Sequence, residues 1–240
     1  MPIHELPHEY LQAQRNAYAY PAVALDGNAQ AYTERDFETT HALDHFLHSQ
    51  LVSENAENKL MGYLAVIFWG HYSGKNGQIL RNRALGKVRL AYEGHNRLRR
   101  NGDMQRIRGV LDLRIEDVLA ILTTAIGLVH ADQFGDALNV LSELPGIGMA
   151  FASKLCAFID PSKCGVIDSV IVASHPRLGF SLTGKYVSRT ISNFDRYDNY
   201  CQILREVSNA LNADERFSVW TDRDGQQHPW RAVDVERALY

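Results

Sequence analysis

The sequence predicts an all-α fold. Apolar residues recur at helical spacing through most of the 240-residue chain. Two segments are apolar nearly all round, as buried helices are. Alternating strand patterns joined by hairpin turns are almost absent.

The first 30 residues are rich in Ala, Tyr and Pro with weak periodicity, so residues 1–35 read as an irregular arm or short helix packed on a helical body spanning 36–240. Residues 36–52 form a helix with Leu43, Phe46, Leu47 and Leu51 on one face. Residues 60–72 are a buried helix, ended by Gly74, Asn76 and Gly77. Residues 83–99 read as a basic amphipathic helix and 115–130 as the central helix. Residues 134–143 follow, with Phe134, Ala137, Leu138 and Leu141 inward. Residues 148–159 turn Phe151, Leu155 and Phe158 inward and stop at Asp160-Pro161. Shorter patterns at 168–176, 195–212 and 232–240 complete the set, and Phe217 to Trp220 followed by Asp222 to Gly225 is the one candidate hairpin.

Hydrophobic content of 45% and charged content of 22% are ordinary for a globular protein able to bury a core without disulfides. Cys156, Cys164 and Cys201 make no paired framework and suit a reducing cytoplasm. The first residues show no signal peptide, and the apolar run from Val118 to Val129 is too short to span a membrane. A monomer is expected. Net charge is −3, yet Lys75 to Arg108 hold ten basic residues against Glu93 and Asp103. So uneven a distribution gives a basic face and suggests a polyanionic partner, unless that face is only a solvated surface.

Residues 134–168 carry the chemistry. Leu144-Pro145-Gly146-Ile147-Gly148 makes a tight turn between two helices, with Ile147 at its tip plugged into the core. The second helix opens with N–H groups free to bind phosphate, which positions a nucleic acid without reading its sequence. Asp168 then stands alone in the apolar run Val166 to Val172, at the start of a short helix. There its carboxylate can accept backbone N–H bonds and stay ionised. A fixed negative charge stabilises the oxocarbenium character of a deoxyribose losing its base, and can orient the attacking water.

Residues 134–179 resemble the catalytic core of the helix-hairpin-helix DNA glycosylases, the superfamily of the endonuclease III, alkyladenine and 8-oxoguanine glycosylases. The resemblance rests on the L-P-G-I-G turn, the small-residue helix from Ala150, and a Val/Ile-Asp about twenty residues on. It implies two helical subdomains flanking a cleft, Asp168 as the catalytic carboxylate, and Pro145, Gly146, Ile147, Gly148, Met149 and Ala150 as the phosphate grip, with room for a monovalent cation at the turn carbonyls. No cofactor or other metal is implied. Bifunctional members carry a nucleophilic lysine where this chain has Ala150. Lys154, one turn on, reads as a surface or phosphate lysine. A monofunctional enzyme that leaves an abasic site is therefore expected. Many members continue Asp-Thr-His-Val-x-Arg, whereas this chain continues Ser169-Val170-Ile171-Val172-Ala173, so the surroundings of Asp168 do not carry over. Four clustered cysteines are absent, and with them the expectation of an iron–sulfur cluster.

A flipped base needs a pocket. Trp69, His71 and Tyr72 are the candidates, with Trp69 as plain core the competing reading. Arg177 and the run from Arg81 to Arg100 are candidate phosphate contacts. His4-Glu5-Leu6-Pro7-His8 matches a zinc motif literally, but Pro7 breaks the helix it needs. His41, His45 and His48 with Asp44 read as an exposed polar face. The stretch from Gly70 to Asn76 falls short of a phosphate-binding loop.

The expected function is hydrolysis of the N-glycosidic bond of a damaged or modified base in DNA, for base-excision repair or against hypermodified phage DNA. The rivals are a non-catalytic helix-hairpin-helix binder of nucleic acid and a helical interaction protein. Asp168 separates the first from both, since neither rival needs that carboxylate.

Overall fold

The computed structural model describes residues 2–74, 77–99 and 101–240. Lys75 and Asn76 of the glycine break, and Arg100 of the basic run, lie outside the described residues. Among the described residues ten α-helices dominate: α1 (His8–Ala17), α2 (Thr40–Leu51), α3 (Ala56–Tyr72), α4 (Arg81–Glu93), α5 (Ile115–His130), α6 (Phe134–Leu141), α7 (Met149–Ile159), α8 (Ser169–Ser174), α9 (Ile191–Ala213) and α10 (Ala232–Arg237).

The fold is helix-rich rather than all-α. Four antiparallel hairpins interrupt the described helices: β1 (Val23–Gly27) with β2 (Tyr32–Asp36), β3 (His95–Leu98) with β4 (Met104–Ile107), β5 (Leu182–Thr183) with β6 (Tyr186–Val187), and β7 (Val219–Thr221) with β8 (Gln227–Pro229). The last pair is the hairpin expected from sequence. The basic helix expected over 83–99 ends instead at Glu93. Gly94 follows at φ 70° and packs back to back with Gly109, where a Cβ would come within 2.1 Å of the Gly94 nitrogen. That close approach closes the base of a hairpin whose turn contains Asn101-Gly102, and the chain cannot continue as helix.

The first 35 residues are more than an arm. They form α1 and the β1–β2 hairpin, and Leu11, Val23, Ala24 and Leu25 are buried in the common core. The central helix is α3, not α5. Every residue from Leu60 to Trp69 is buried, and α3 packs against α2, α4, α5, α7 and β1. Helix α5 buries only the stripe Val118, Leu122, Ala125 and Val129. Its apolar length reflects small residues such as Ala120 and Gly127 on an open face. Caps follow the sequence: Thr39, Asn55, Asp168 and Thr190 each accept backbone N–H bonds at helix starts.

Asp44, expected on an exposed face with His41, His45 and His48, is buried. Its carboxylate takes Arg237 at 2.6 and 2.8 Å and Arg231 at 2.7 Å. Asp234 takes Arg231 at 2.7 Å and Arg15 at 2.9 and 3.0 Å. The Arg15 guanidinium lies 3.4 Å over the Trp220 ring. Helices α1, α2 and α10 are thereby tied into one buried network. His41 stacks on His228 at 4.1 Å. Burial, with Arg231, His228 and His45 alongside, brings the His41 pKa down to about 4.

Burial alone would raise the Asp44 and Asp234 pKa values, but the arginines outweigh it and hold both below the ordinary carboxylate range. A depressed folded-state pKa contributes stability that is complete above the unfolded value and lost as pH falls through the folded one. Asp44→Ala is therefore expected to lower the unfolding free energy by about 3–5 kcal/mol at neutral pH, because it leaves buried Arg237 without a hydrogen-bonded carboxylate and takes one of the two partners of Arg231. Urea titrations at several pH values check this: the gap between wild type and variant narrows only below the ordinary aspartate value of 3.8.

Candidate functional site

Asp168 is delivered by a stretch of irregular but buried backbone. Cys164, Gly165, Val166 and Ile167 are all buried between α7, α9 and α10. Buried peptide groups outside helices and sheets need partners, and side chains supply them. Tyr197 donates to the Gly165 carbonyl at 2.9 Å and Tyr200 to the Val166 carbonyl at 3.1 Å. The Ser153 hydroxyl accepts from the Ile167 N–H at 3.0 Å and donates to its carbonyl at 3.3 Å. Gly165 must be glycine, since a Cβ there would lie 2.3 Å from Leu204 Cδ1 and 2.9 Å from Glu236 Cβ. At the end of this stretch Asp168 caps α8, its Oδ1 accepting from Val170 at 2.8 Å and Ile171 at 3.1 Å. Its Oδ2 accepts from the Tyr240 hydroxyl. Both oxygens are therefore held, and the side chain stays half-exposed.

Two adjoining cavities meet at Asp168. The inner one, about 770 Å³, is walled by Tyr18, Tyr20, Trp69, Phe158, Glu236 and Tyr240 among others. The outer one, about 520 Å³, runs over Gly146, Gly148, Met149 and Ala150 and is bordered by Arg83, Lys87, Arg108 and Lys185. Both are lined by Gly70, Arg83, Lys154, Asp168 and Ser169. Gly70 lets Phe151 and Lys154 of α7 pack closely on α3 at the junction, because a Cβ on it would lie 2.5 Å from the Phe151 ring and 3.0 Å from the Lys154 stem.

Of the turn residues, Pro145, Ile147 and Met149 are buried, Ala150 is half-buried, and Gly146 and Gly148 are exposed. Gly146 takes φ 73°, and the Pro145 carbonyl accepts from the Tyr63 hydroxyl. The Gly148 carbonyl already receives Phe151 and Ala152, both at 2.9 Å. Among the described residues the N–H groups of Gly148, Met149 and Ala150 find no acceptor, and they face the outer cavity. Lys154 is not on the surface. It is 8% exposed, with Nζ 5.5 Å from the Phe151 ring centroid and 5.9 Å from that of Trp69. Among the described residues it has no carboxylate partner within ion-pair distance, and neither do Arg83, Lys87, Arg97 and Arg108. Arg81, Arg89 and Arg106 are instead paired with Glu34, Glu93 and Asp112.

The three candidate base-pocket residues separate. Trp69 lines the inner cavity, its Nε1 donating to the Pro21 carbonyl at 3.1 Å. His71 lines the outer one, against Phe151 at 4.5 Å. Burial, and the cations Lys87, Arg83 and Lys154, bring the His71 pKa down to about 4, so its imidazole is neutral at physiological pH. Tyr72 lines neither cavity and packs on Phe68. Arg177 is exposed in the turn Pro176–Leu178 after α8 and also lines neither.

Sequence reasoning missed Tyr18, Tyr20, Glu236 and Tyr240. Tyr20 donates to the Trp69 carbonyl at 3.0 Å, and burial raises its pKa to about 12. Tyr18 stands edge-on to Tyr240 at 6.3 Å. The clustering of tyrosines in the first 20 residues was the one available signal. Among the described residues no group of three His, Cys, Asp or Glu side chains is arranged to hold a metal, and no helix is long and apolar enough to cross a membrane.

A family model described as "Putative 8-oxoguanine DNA glycosylase OGG-like protein" matches residues 43–240. That span includes the turn, Asp168 and α10, and excludes Tyr18 and Tyr20. No curated protein and no solved structure matches the chain.

Ser153→Ala leaves the Ile167 N–H unpartnered inside the protein. It is expected to lower unfolding free energy by about 1–3 kcal/mol, measured by urea denaturation.

Proposed function

The chain belongs to the OGG-like family matched over residues 43–240, and from that membership we propose that it is a monofunctional glycosylase that hydrolyses the N-glycosidic bond of a damaged or modified base in DNA. The observation that carries this reading is the position of Asp168 where a basic outer groove meets an aromatic inner cavity. In the proposal α6, the turn at Gly146 and α7 act as a helix-hairpin-helix. The free N–H groups at Gly148, Met149 and Ala150 hold a phosphate without reading bases. Arg83, Lys87 and Arg108 hold neighbouring phosphates, and Arg177 is a further candidate. The flipped nucleotide passes Gly70 and Lys154, and its base enters the cavity that Tyr18, Tyr20 and Trp69 wall. A cavity of about 770 Å³ is of the size that encloses small ligands.

At the junction, the sugar sits against Asp168. The two backbone N–H bonds and the Tyr240 hydroxyl fix the carboxylate before the substrate arrives. As the base leaves, the deoxyribose becomes electron-poor, and a carboxylate that needs no reorganisation stabilises it. The same group then accepts the proton of the water that attacks C1′. Water is the nucleophile in this reading because Ala150 stands where bifunctional relatives carry a lysine. The Lys154 ammonium lies by the faces of Phe151 and Trp69 and helps to hold the nucleotide. The role is base-excision repair or attack on modified phage bases, in the cytoplasm.

Duplexes carrying 8-oxoguanine, other lesions and hypermodified bases, assayed for base release by alkaline cleavage, test the reading. Asp168→Asn is expected to bind DNA as tightly as wild type while excision falls at least about a hundredfold. Excision at the wild-type rate would remove Asp168 from the mechanism. Strand nicking without alkali, with borohydride trapping that Lys154→Gln abolishes, would make the enzyme a lyase instead. Independently, replacing Arg83, Lys87 and Arg108 by Gln should flatten the dependence of log K on log salt by roughly 0.9 for every phosphate no longer neutralised.

A further inference from the structure

The inner cavity holds a second carboxyl group in surroundings unlike those of Asp168. Glu236, on α10, is 2% exposed and lines the cavity wall beside Tyr240. Its two acidic neighbours in the ion-pair network are neutralised by arginines, but Glu236 is not. The adjacent Arg237 points away, to Asp44 at 2.6 Å and Asp234 at 3.8 Å. The groups that face Glu236 are Arg237 on its own helix, Lys154 from α7, Asp168 from the segment before α8, the Val166 N–H, and the hydroxyls of Tyr18, Tyr200 and Tyr240. Among the described residues none forms an ion pair with it. Gly165 leaves room for its stem, since a Cβ there would lie 2.9 Å from Glu236 Cβ and 3.3 Å from Cγ.

Burial outweighs Arg237 and Lys154 and pushes the Glu236 pKa up to about 8. At neutral pH the group is a carboxylic acid, a proton donor inside a cavity that also contains a carboxylate held by backbone N–H groups. Two carboxyl groups in unlike surroundings within one cavity can divide acid and base work between them. A carboxyl that merely filled space would gain nothing from facing a cavity, and α10 is already anchored without it.

We propose that Glu236 is a catalytic general acid that protonates the departing base, while Asp168 handles the sugar and the water. The inference rests on the glycosylase reading and narrows its substrate class to neutral bases, which leave more readily once a ring nitrogen or carbonyl oxygen is protonated. A cationic N-alkylated base already carries its positive charge and needs no donor. In the step, the C1′–N bond breaks and its electron pair goes to the base. The Glu236 proton goes to a ring nitrogen or carbonyl oxygen of that base. Water oxygen bonds to C1′ and its proton goes to Asp168. Exchange with solvent returns both carboxyls to their starting states, so one water is consumed for each free base and abasic site formed.

Two measurements decide the proposal. Carbon-13 NMR titration of the glutamate carboxyls in the full chain, with Glu236→Gln to assign the signal, is expected to show Glu236 titrating near 8; titration near the ordinary 4.5 overturns the proposal. Single-turnover base release is then followed from pH 5 to 10 on duplexes bearing 8-oxoguanine, hypoxanthine or 7-methylguanine. Glu236→Gln should slow release of a neutral base about a hundredfold or more at pH 7 and abolish the fall in rate above pH 8. Release of cationic 7-methylguanine should change less than threefold, or be absent in both proteins. A variant that keeps the wild-type rate and alkaline fall, or loses neutral and cationic release equally, overturns the acid role while leaving the Asp168 result intact. Wild-type protein that releases no base from any duplex, including the wider lesion panel, overturns both readings.

Discussion

Two aspartates and three arginines, nearly all withdrawn from water, join segments as far apart in the chain as Arg15 and Asp234. Neither charge type would tolerate that interior alone, and each is stable there only because the other is present. The geometry required is exacting. Asp44 must meet Arg237 with both oxygens, and Asp234 must meet Arg15 and Arg231 together. Helix α10 can therefore dock in one orientation against α1 and α2. That orientation puts Glu236 and Tyr240 on the cavity side and Val233 against the Pro161 carbonyl at 3.1 Å, beside the stretch leading to Asp168. A network distant from any reacting atom thus sets where the cavity wall stands.

The same logic governs the approach to Asp168 from the other side. Three buried residues without regular structure, Gly165, Val166 and Ile167, are held by Ser153 and by Tyr197 and Tyr200 of α9. These are polar contacts made in the interior, where an unmade bond is costly. They leave the aspartate little freedom to rotate before its own cap bonds fix it. The outer groove is basic and the inner cavity aromatic, and the contrast suits a polyanion entering by one and a base lodging in the other. Glycine works at the boundary: Gly70 and Gly165 each stand where a methyl group would displace a side chain of the site.

The helices were legible because their apolar faces follow a period of 3.6, and α2, α3, α5, α6, α7 and α9 lie close to where that period puts them. The strands were not, with the exception of β7 and β8. In the basic segment, helix-forming residues continue up to Gly94, and only a tertiary contact with Gly109 makes that glycine a stop rather than a tolerated interior position. The Asn101-Gly102 pair is a hairpin signal that the helical reading of 83–99 left unused. Hydrophobicity also misplaced the centre. Helix α5 is as apolar as a core helix, but it buries one stripe only, and α3 takes the central place.

What the sequence by itself determined was local: the turn from Leu144 to Gly148, the free N–H groups that follow it, and Asp168 as the cap of α8. Each depends on residues within four positions, through backbone conformation and short hydrogen bonds, so spacing was sufficient. Tertiary structure decided which side chains surround Asp168. Tyr18, Tyr20, Trp69, Lys154, Glu236 and Tyr240 come from across the chain and share no spacing, and their meeting depends on buried ion pairs between helices that no local pattern encodes. The exposed face read for Asp44 failed for that reason, and Lys154, read as a surface or phosphate lysine, is buried beside the rings of Phe151 and Trp69. Burial of a charged residue is decided by partners far away in sequence, while periodicity reports only the preference of the residue itself.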